Sequence, residues 1–291
     1  MTSLSRVLIT GCSSGFGALT ARALVKAGFT VVAGIRDSET RNAAAAASLR
    51  DATVEGPGRL DIVDLDVTSD ASVDTAVAAA GEVDVLINNA GIAGAGLVET
   101  FTVAQAEQIF AVNFFGALRM SRAVLPQMKR RGQGLLVHVS SEYARMVLPG
   151  LGIYAASKFA LDALSECLHY ELSATGVHSL VIEPGTFPTT GILGNLVMPT
   201  DVERSAGYGP VADLPQQLGA GLQAMVEQGM APDPAEVAAA IVALIQAPGR
   251  PLRTLLPSPD SENIAAINAA AALAQAACFE RMNMTSMLRK G

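Results

Sequence analysis

Arg6-Val7-Leu8-Ile9-Thr10-Gly11-Cys12-Ser13-Ser14-Gly15-Phe16-Gly17 sets an apolar, β-branched run directly against a glycine-rich turn, and a helical stretch, Gly15 to Ala27, follows it. The amides of a helix's first turn lack partners within the helix, and its dipole favours an anion there. Glycines let the backbone come close enough to use both. Gly11, Ser13, Ser14, Gly15, Phe16 and Gly17 are therefore the first candidate binding residues, and the ligand they suit is a dinucleotide pyrophosphate.

Outward from that turn the alternation repeats. Short apolar runs stand at Arg6 to Thr10, Thr30 to Ile35, Leu60 to Leu65, Val83 to Ile87, Gly134 to Val139, Val177 to Ile182 and Thr254 to Leu256. Helix candidates lie between them at Ser69 to Ala80, Val103 to Ala111, Phe114 to Arg130, Ala155 to Ala174 and Pro234 to Gln246. Unbroken apolar runs of strand length separated by helices mark a sheet buried on both faces. The expected fold is α/β, a doubly wound Rossmann fold with a seven-stranded parallel sheet and helices on both faces, in one domain over residues 1–291.

The alternation breaks between Pro184 and Pro234. Ligands of such sheets bind beyond the carboxyl ends of the strands, so the segment of about 186–233 is expected to be a mobile substrate lid. A C-terminal helical extension of about 260–290 is expected to cover the core or to meet another subunit.

Composition excludes several classes. Among 291 residues, 20 Lys and Arg face 27 Asp and Glu, a net charge of −7, which does not suit nucleic acid. Hydrophobic residues make up 50 % and charged ones 16 %, so the chain buries a core. Cys12, Cys167 and Cys278 are odd in number and unpaired in spacing, and His138, His169 and His178 have no ligand-like spacing; neither disulfides nor a metal is expected. The first residues pass straight into a strand, and Gln275 interrupts the Ala-rich stretch from Ala269 to Ala277. The expectation is a soluble, cytoplasmic protein with no membrane span.

Further along, Asp66 could bind an adenine amino group and Val67 face the ring, or Asp66 could cap the helix that begins near Ser69. Asn88-Asn89-Ala90-Gly91 would let backbone pass close beside a cofactor. Tyr154 and Lys158 stand at i and i+4 and share a helical face, so an ammonium near the phenol is expected to pull its pKa down toward neutrality. At the end of the second run, Ile35-Arg36-Asp37 offers a cation where NAD-preferring proteins carry an acid. This points to NADP(H), with Ser14 a second phosphate contact and Asp37 a tempering neighbour.

These motifs together resemble the short-chain dehydrogenase/reductase family in its single-domain branch. The resemblance runs from the TGxxxGxG turn, through Asn89, Ala90 and Gly91, Asn113, a serine and the YxxxK at Tyr154, to Pro184-Gly185. It implies Tyr154 as general acid/base, Lys158 holding the nicotinamide ribose, and Asn113 holding a relay water. The serine stands thirteen residues before the tyrosine, which selects Ser141 over Ser140; Tyr143 has no lysine four residues on. Pro184, Gly185, Phe187 and Thr189 match the stretch that contacts the nicotinamide. The implied activity is hydride exchange between NADP(H) and a carbonyl or secondary alcohol, with NAD-dependent oxidation as the alternative. The sequence is similar to steroid and retinoid dehydrogenases, which implies a bulky apolar substrate, lined by Met146, Leu148, Leu193 and Met198. Relatives pair through helices at Phe114 to Arg130 and Ala155 to Ala174, which implies a homodimer or homotetramer. Tyr154 and Lys158 argue against a non-catalytic binding protein on the same scaffold.

Overall fold

The computed structural model describes residues 4–53, 56–191 and 195–288. Its chain runs β1 (Arg6–Thr10), α1 (Gly15–Lys26), β2 (Thr30–Ile35), α2 (Ala43–Asp51), β3 (Arg59–Asp64), α3 (Asp70–Ala80), β4 (Val85–Asn88), α4 (Val103–Phe110), α5 (Ala117–Arg131), β5 (Gly134–Val139), α6 (Gly152–Glu171), β6 (Val177–Glu183), α7 (Leu214–Glu227), α8 (Ala235–Gln246), β7 (Arg253–Leu255) and α9 (Ser261–Arg281). The strands form one sheet in the order β3-β2-β1-β4-β5-β6-β7. Every pairing is parallel. The fold is thus the expected Rossmann-like one.

Side chains alternate across the sheet and build a core on each face. Val7 and Ile9 of β1, Val85 and Ile87 of β4 and Leu135 and Val137 of β5 pack beneath Leu24 of α1, Leu49 of α2 and Ile241 of α8. The intervening Leu8, Leu86 and Leu136 face the other way, against Val73 of α3 and Met120, Val124 and Met128 of α5. That period of two explains why the strands read as continuous apolar runs: both phases of the pleat are buried.

Two helices escape the periodicity of the sequence. In α2 only Ala46 and Leu49 are buried, and α7 buries no residue at all. The segment of about 186–233 therefore carries a helix, and it is tied down. Val197 N–H donates to the Ala93 carbonyl at 2.8 Å, and Asp201 N–H to the Thr100 carbonyl at 3.1 Å. Gln105 Nε2 donates to the Met198 carbonyl at 2.7 Å. The helix α9 is held at three points. Ile264 and Phe279 are buried, Phe279 meets Tyr170 edge to face at 4.8 Å, and Asn268 Nδ2 donates to Glu183 at 2.8 Å.

Between α4 and α5 the helix does not stop, as the two separate sequence stretches suggest, but widens into a π-helical turn, Ala111–Gly116. The turn adds a residue to the ladder and re-aims its side chains, a device common at functional sites. It carries Asn113.

Candidate active site

The glycine turn between β1 and α1 is built to minimum thickness. Gly11 has φ +73° and stands where a Cβ would come 2.8 Å from Ala90 Cα, and a Cβ on Gly17 would collide with the Gly11 carbonyl oxygen. The end of β4 is strapped to that turn: Asn89 Nδ2 donates to the Thr10 carbonyl at 2.8 Å and the Gly11 carbonyl at 3.1 Å. The amides of Asn89 and Ala90 donate to the Thr10 hydroxyl at 3.0 and 2.9 Å. Thr10, the first residue of the TGxxxGxG motif, thus ties the ends of the two central strands together.

Ser13, Ser14 and Gly15 line a cavity of about 360 Å³ with Arg22 of α1 and with Thr189, Thr190 and Gly191 from the segment after β6. Phe187 is buried and meets Phe16 edge to face at 5.3 Å. That contact lays the stretch Pro184 to Thr189 across the turn. Arg36, half exposed, keeps its Nε 3.9 Å from a carboxylate oxygen of Asp37. Asp37 itself adopts the left-handed conformation at φ +53°. Asp66 makes a local turn, its Oδ1 accepting from Thr68 N–H at 2.8 Å and the Thr68 hydroxyl at 2.7 Å. The cap of α3 is Ser69. Val67 is buried in the sheet's second core, close enough to Gly116 that a Cβ there would lie 2.7 Å from its Cγ2.

At the carboxyl ends of β4 and β5 the remaining candidates converge. Ser140 and Ser141 follow β5 in extended backbone, so their side chains point opposite ways. The Ser141 hydroxyl is hydrogen-bonded to Tyr154 and accepts from Tyr143 N–H at 3.2 Å. The Ser140 hydroxyl is buried without a hydrogen-bond partner among the described residues. Lys158, buried one turn along α6 from Tyr154, places Nζ over the Tyr154 ring, 5.8 Å from its centre, and donates to the Val139 carbonyl at 2.9 Å.

Asn113 is buried. Its Oδ1 accepts from Ile92 N–H and its Nδ2 donates to the Ile92 carbonyl, both at 2.9 Å. Nδ2 also donates to the Ser157 hydroxyl at 2.9 Å, which in turn donates to the Tyr154 carbonyl at 2.7 Å. Ser157 is a positioning residue that the sequence did not single out; it joins the π turn to the first turn of α6. Gly91 lies against both, with Asn113 Oδ1 and Lys158 Nζ at 3.4 and 3.6 Å from where its Cβ would be.

The electrostatics depart from expectation in one respect. Part of Tyr154 reaches solvent, yet its dense surroundings push its phenol up to about 12, a burial effect that the Ser141 hydrogen bond opposes and nearby Tyr143 and Glu142 reinforce. The expected downward pull of Lys158 is not among the influences on that phenol, and burial presses the lysine itself down, to about 8. Tyr143 is half-buried in the loop, its hydroxyl 3.3 Å from Thr186 Oγ1. Of the expected substrate lining, Met198 is exposed, Met146 and Leu148 are half-buried, and Leu193 lies outside the described residues. Among the described residues, no three His, Cys, Asp or Glu are placed to hold a metal, and no helix is long and apolar enough to cross a membrane.

A βαβ dinucleotide turn thus stands beside a Ser–Tyr–Lys constellation at the carboxyl edge of a parallel sheet. The chain belongs to the short chain dehydrogenase family, whose pattern residues 5–197 match. It is 42 % identical over 190 residues to human retinol dehydrogenase 8, a match that covers 63 % of this chain and 59 % of the human protein. A short-chain dehydrogenase from Streptomyces avermitilis superimposes with a TM-score of 0.75 at 33 % identity, over 97 % of this chain and 98 % of that one. Two further structures were solved with cofactors. An alcohol dehydrogenase from Thermococcus sibiricus carries 5-hydroxy-NADP (TM-score 0.67, 25 % identity, covering 88 % of this chain and 97 % of that one). A family member from Burkholderia phymatum carries NAD (TM-score 0.74, 25 % identity, covering 90 % and 92 %).

Proposed function

We propose that this chain is an NADP(H)-dependent oxidoreductase that interconverts a carbonyl and a secondary alcohol on a bulky apolar substrate. The observation that carries the reading is the Ser141–Tyr154 hydrogen bond beside the buried Lys158 amine. Glycines with no room for a methyl group and the polar cavity next to them fit a dinucleotide, so Ser13, Ser14, Gly15 and Thr189 would hold its pyrophosphate region and Lys158 its nicotinamide ribose. Bound there, the nicotinamide would supply or accept the hydride. Lys158 spends one N–H on Val139 and keeps the others for ribose hydroxyls.

The chain's own part is proton transfer. Tyr154, raised to about 12, keeps its proton at neutral pH and can give it to an oxygen that gains charge. Ser141 already bonds that phenol and can donate to the same oxygen, stabilising the charge as it develops. Asn113 holds Ile92 and Ser157 in place, and so fixes the floor of the site and the first turn of α6.

Arg36 supports the NADP(H) preference, since a half-exposed guanidinium beyond β2 suits a ribose phosphate. Its 3.9 Å approach to Asp37 favours the second reading, NAD-dependent oxidation, because the acid partly satisfies the cation and could take ribose hydroxyls itself. Similarity to human retinol dehydrogenase 8 supports the bulky apolar substrate, and the segment of about 186–233 is proposed as its lid. A homodimer or homotetramer in the cytoplasm completes the proposal.

Titration with NADPH and NADH, read by cofactor fluorescence in the wild type, Arg36→Ala and Tyr154→Phe, tests the reading. The expected result is tighter NADPH binding, a loss of about tenfold to a hundredfold of that preference in Arg36→Ala, and a Tyr154→Phe protein that binds cofactor but fails to reduce a ketone panel. Equal binding of the two cofactors would replace the first reading with the second. Full activity in Tyr154→Phe would remove both.

A further inference from the structure

Glu142 follows Ser141 directly and is only 3 % exposed, an acid that the hydride-transfer reading does not use. Burying a carboxyl is costly unless its oxygens are taken up. Here one of them is: the Thr186 hydroxyl donates to Oε1 at 3.2 Å, while Oε2 is buried with no hydrogen-bond partner among the described residues. Glu142 N–H donates to the Pro184 carbonyl at 2.9 Å, which tucks the side chain under the stretch that crosses the glycine turn. Gly185 makes the room; a Cβ there would come 3.2 Å from Oε2 and 2.8 Å from Ser258 Cβ.

The hydrogen-bond chain has a direction. A threonine hydroxyl has one proton, and Thr186 gives it to Glu142. The Tyr143 hydroxyl, 3.3 Å from Thr186 Oγ1, must then donate to Thr186. With its proton spent, the Tyr143 oxygen keeps free lone pairs. Its own backbone N–H donates to the Ser141 hydroxyl at 3.2 Å, so Tyr143 borders the place where the substrate's reacting oxygen would lie. A fixed acceptor there has nothing to offer a bare ketone, whose oxygen also only accepts. It suits a second group that donates.

We infer that Tyr143, oriented through Thr186 and Glu142, is a specificity-determining contact for a substrate hydroxyl group near the reacting carbon, so that the preferred substrates are hydroxyketones and the corresponding diols. The inference rests on the oxidoreductase reading above and narrows its substrate class.

The test uses α-, β- and γ-hydroxy derivatives of one phenyl ketone, each paired with its methyl ether, which can accept but not donate. The wild type is expected to favour a hydroxyl member over its ether by roughly five- to tenfold in kcat/KM, the effect of one hydrogen bond, and to do so through KM. Tyr143→Phe and Thr186→Val are expected to erase that ratio. Glu142→Ala should lower it, and Glu142→Gln, which keeps an oxygen for Thr186, should restore it; a residue needed only for packing would not separate these two. The inference is overturned if the wild type prefers no hydroxyl member, or if the preference survives Tyr143→Phe. A wild type that reduces none of the ketones with either cofactor overturns the oxidoreductase reading as well, so the two failures are told apart.

Discussion

The Lys158 amine lies over the face of the Tyr154 ring, 5.8 Å from its centre. Both groups are pressed toward their neutral forms, the lysine down to about 8 and the phenol up to about 12. A base whose folded pKa is depressed contributes stability that is complete above its unfolded pKa of 10.5 and is lost as pH falls through about 8. Wild-type stability should therefore rise with pH relative to Lys158→Met between about pH 8 and 10 by up to about 1.4 kcal/mol per unit. Urea unfolding of both proteins at two pH values checks it, and parallel curves would show that the lysine is not desolvated.

Gly17→Ala should fold poorly or bind no cofactor. The added methyl meets the Gly11 carbonyl and, at 2.5 Å, Asn89 Nδ2. The Asn89 strap between β1 and β4 must give way, at a cost of about 1–3 kcal/mol. Thermal unfolding with and without cofactor separates lost stability from lost affinity.

Ser141→Ala and Ser140→Ala should diverge. The first removes the hydroxyl bonded to Tyr154 and is expected to lower kcat by about a hundredfold with little change in cofactor affinity. The second removes a buried hydroxyl with no hydrogen-bond partner among the described residues, so both kcat and unfolding free energy should stay within about 1 kcal/mol of wild type. Equal losses of kcat would remove the assignment.

A buried ion cluster joins α6, β6 and β7. Arg253 reaches Asp162 at 2.9 Å and Glu166 at 2.5 Å, and Arg145 reaches Asp162 at 2.6 Å and Glu183 at 3.3 Å. Even so, burial raises Asp162 to about 6. Arg253→Met leaves carboxylates short of cations and should cost about 3–5 kcal/mol. Replacing Asp162 by Asn in that variant should recover part of the loss, which denaturant midpoints would show.

The sheet was legible because β1, β2, β4, β5 and β6 bury both faces, so Val, Leu and Ile dominate each run. Helix α2 was not, since an alanine run shows no period when only Ala46 and Leu49 are covered. Pro215, Gly219 and Gly221 made α7 read as loop, and it has no buried face to contradict them. The glycine turn, Ser141, Tyr154 and Lys158 were legible from spacing. The π turn at Asn113 was not, because its extra residue leaves no mark in composition. Nor was the direction of the Tyr154 shift, which depends on how many atoms surround the phenol and not on which residue stands four places away. Glu142 did leave a trace: an acid between Ser141 and Tyr143, at the mouth of an apolar strand, needs partners.

Besides the bond from its Nε2 to the Met198 carbonyl, Gln105 joins two segments through one oxygen. Its Oε1 accepts from Thr102 N–H at 3.1 Å, closing the cap of α4, and from Thr200 N–H at 3.3 Å across the gap. If the segment after β6 lifts, the Thr102 bond stays, and nothing on the α4 side must rearrange. Two backbone protons that share one acceptor then become separate reporters: in deuterated solvent, Thr200 would exchange at the rate of opening, while Thr102 would wait for its helix to fray.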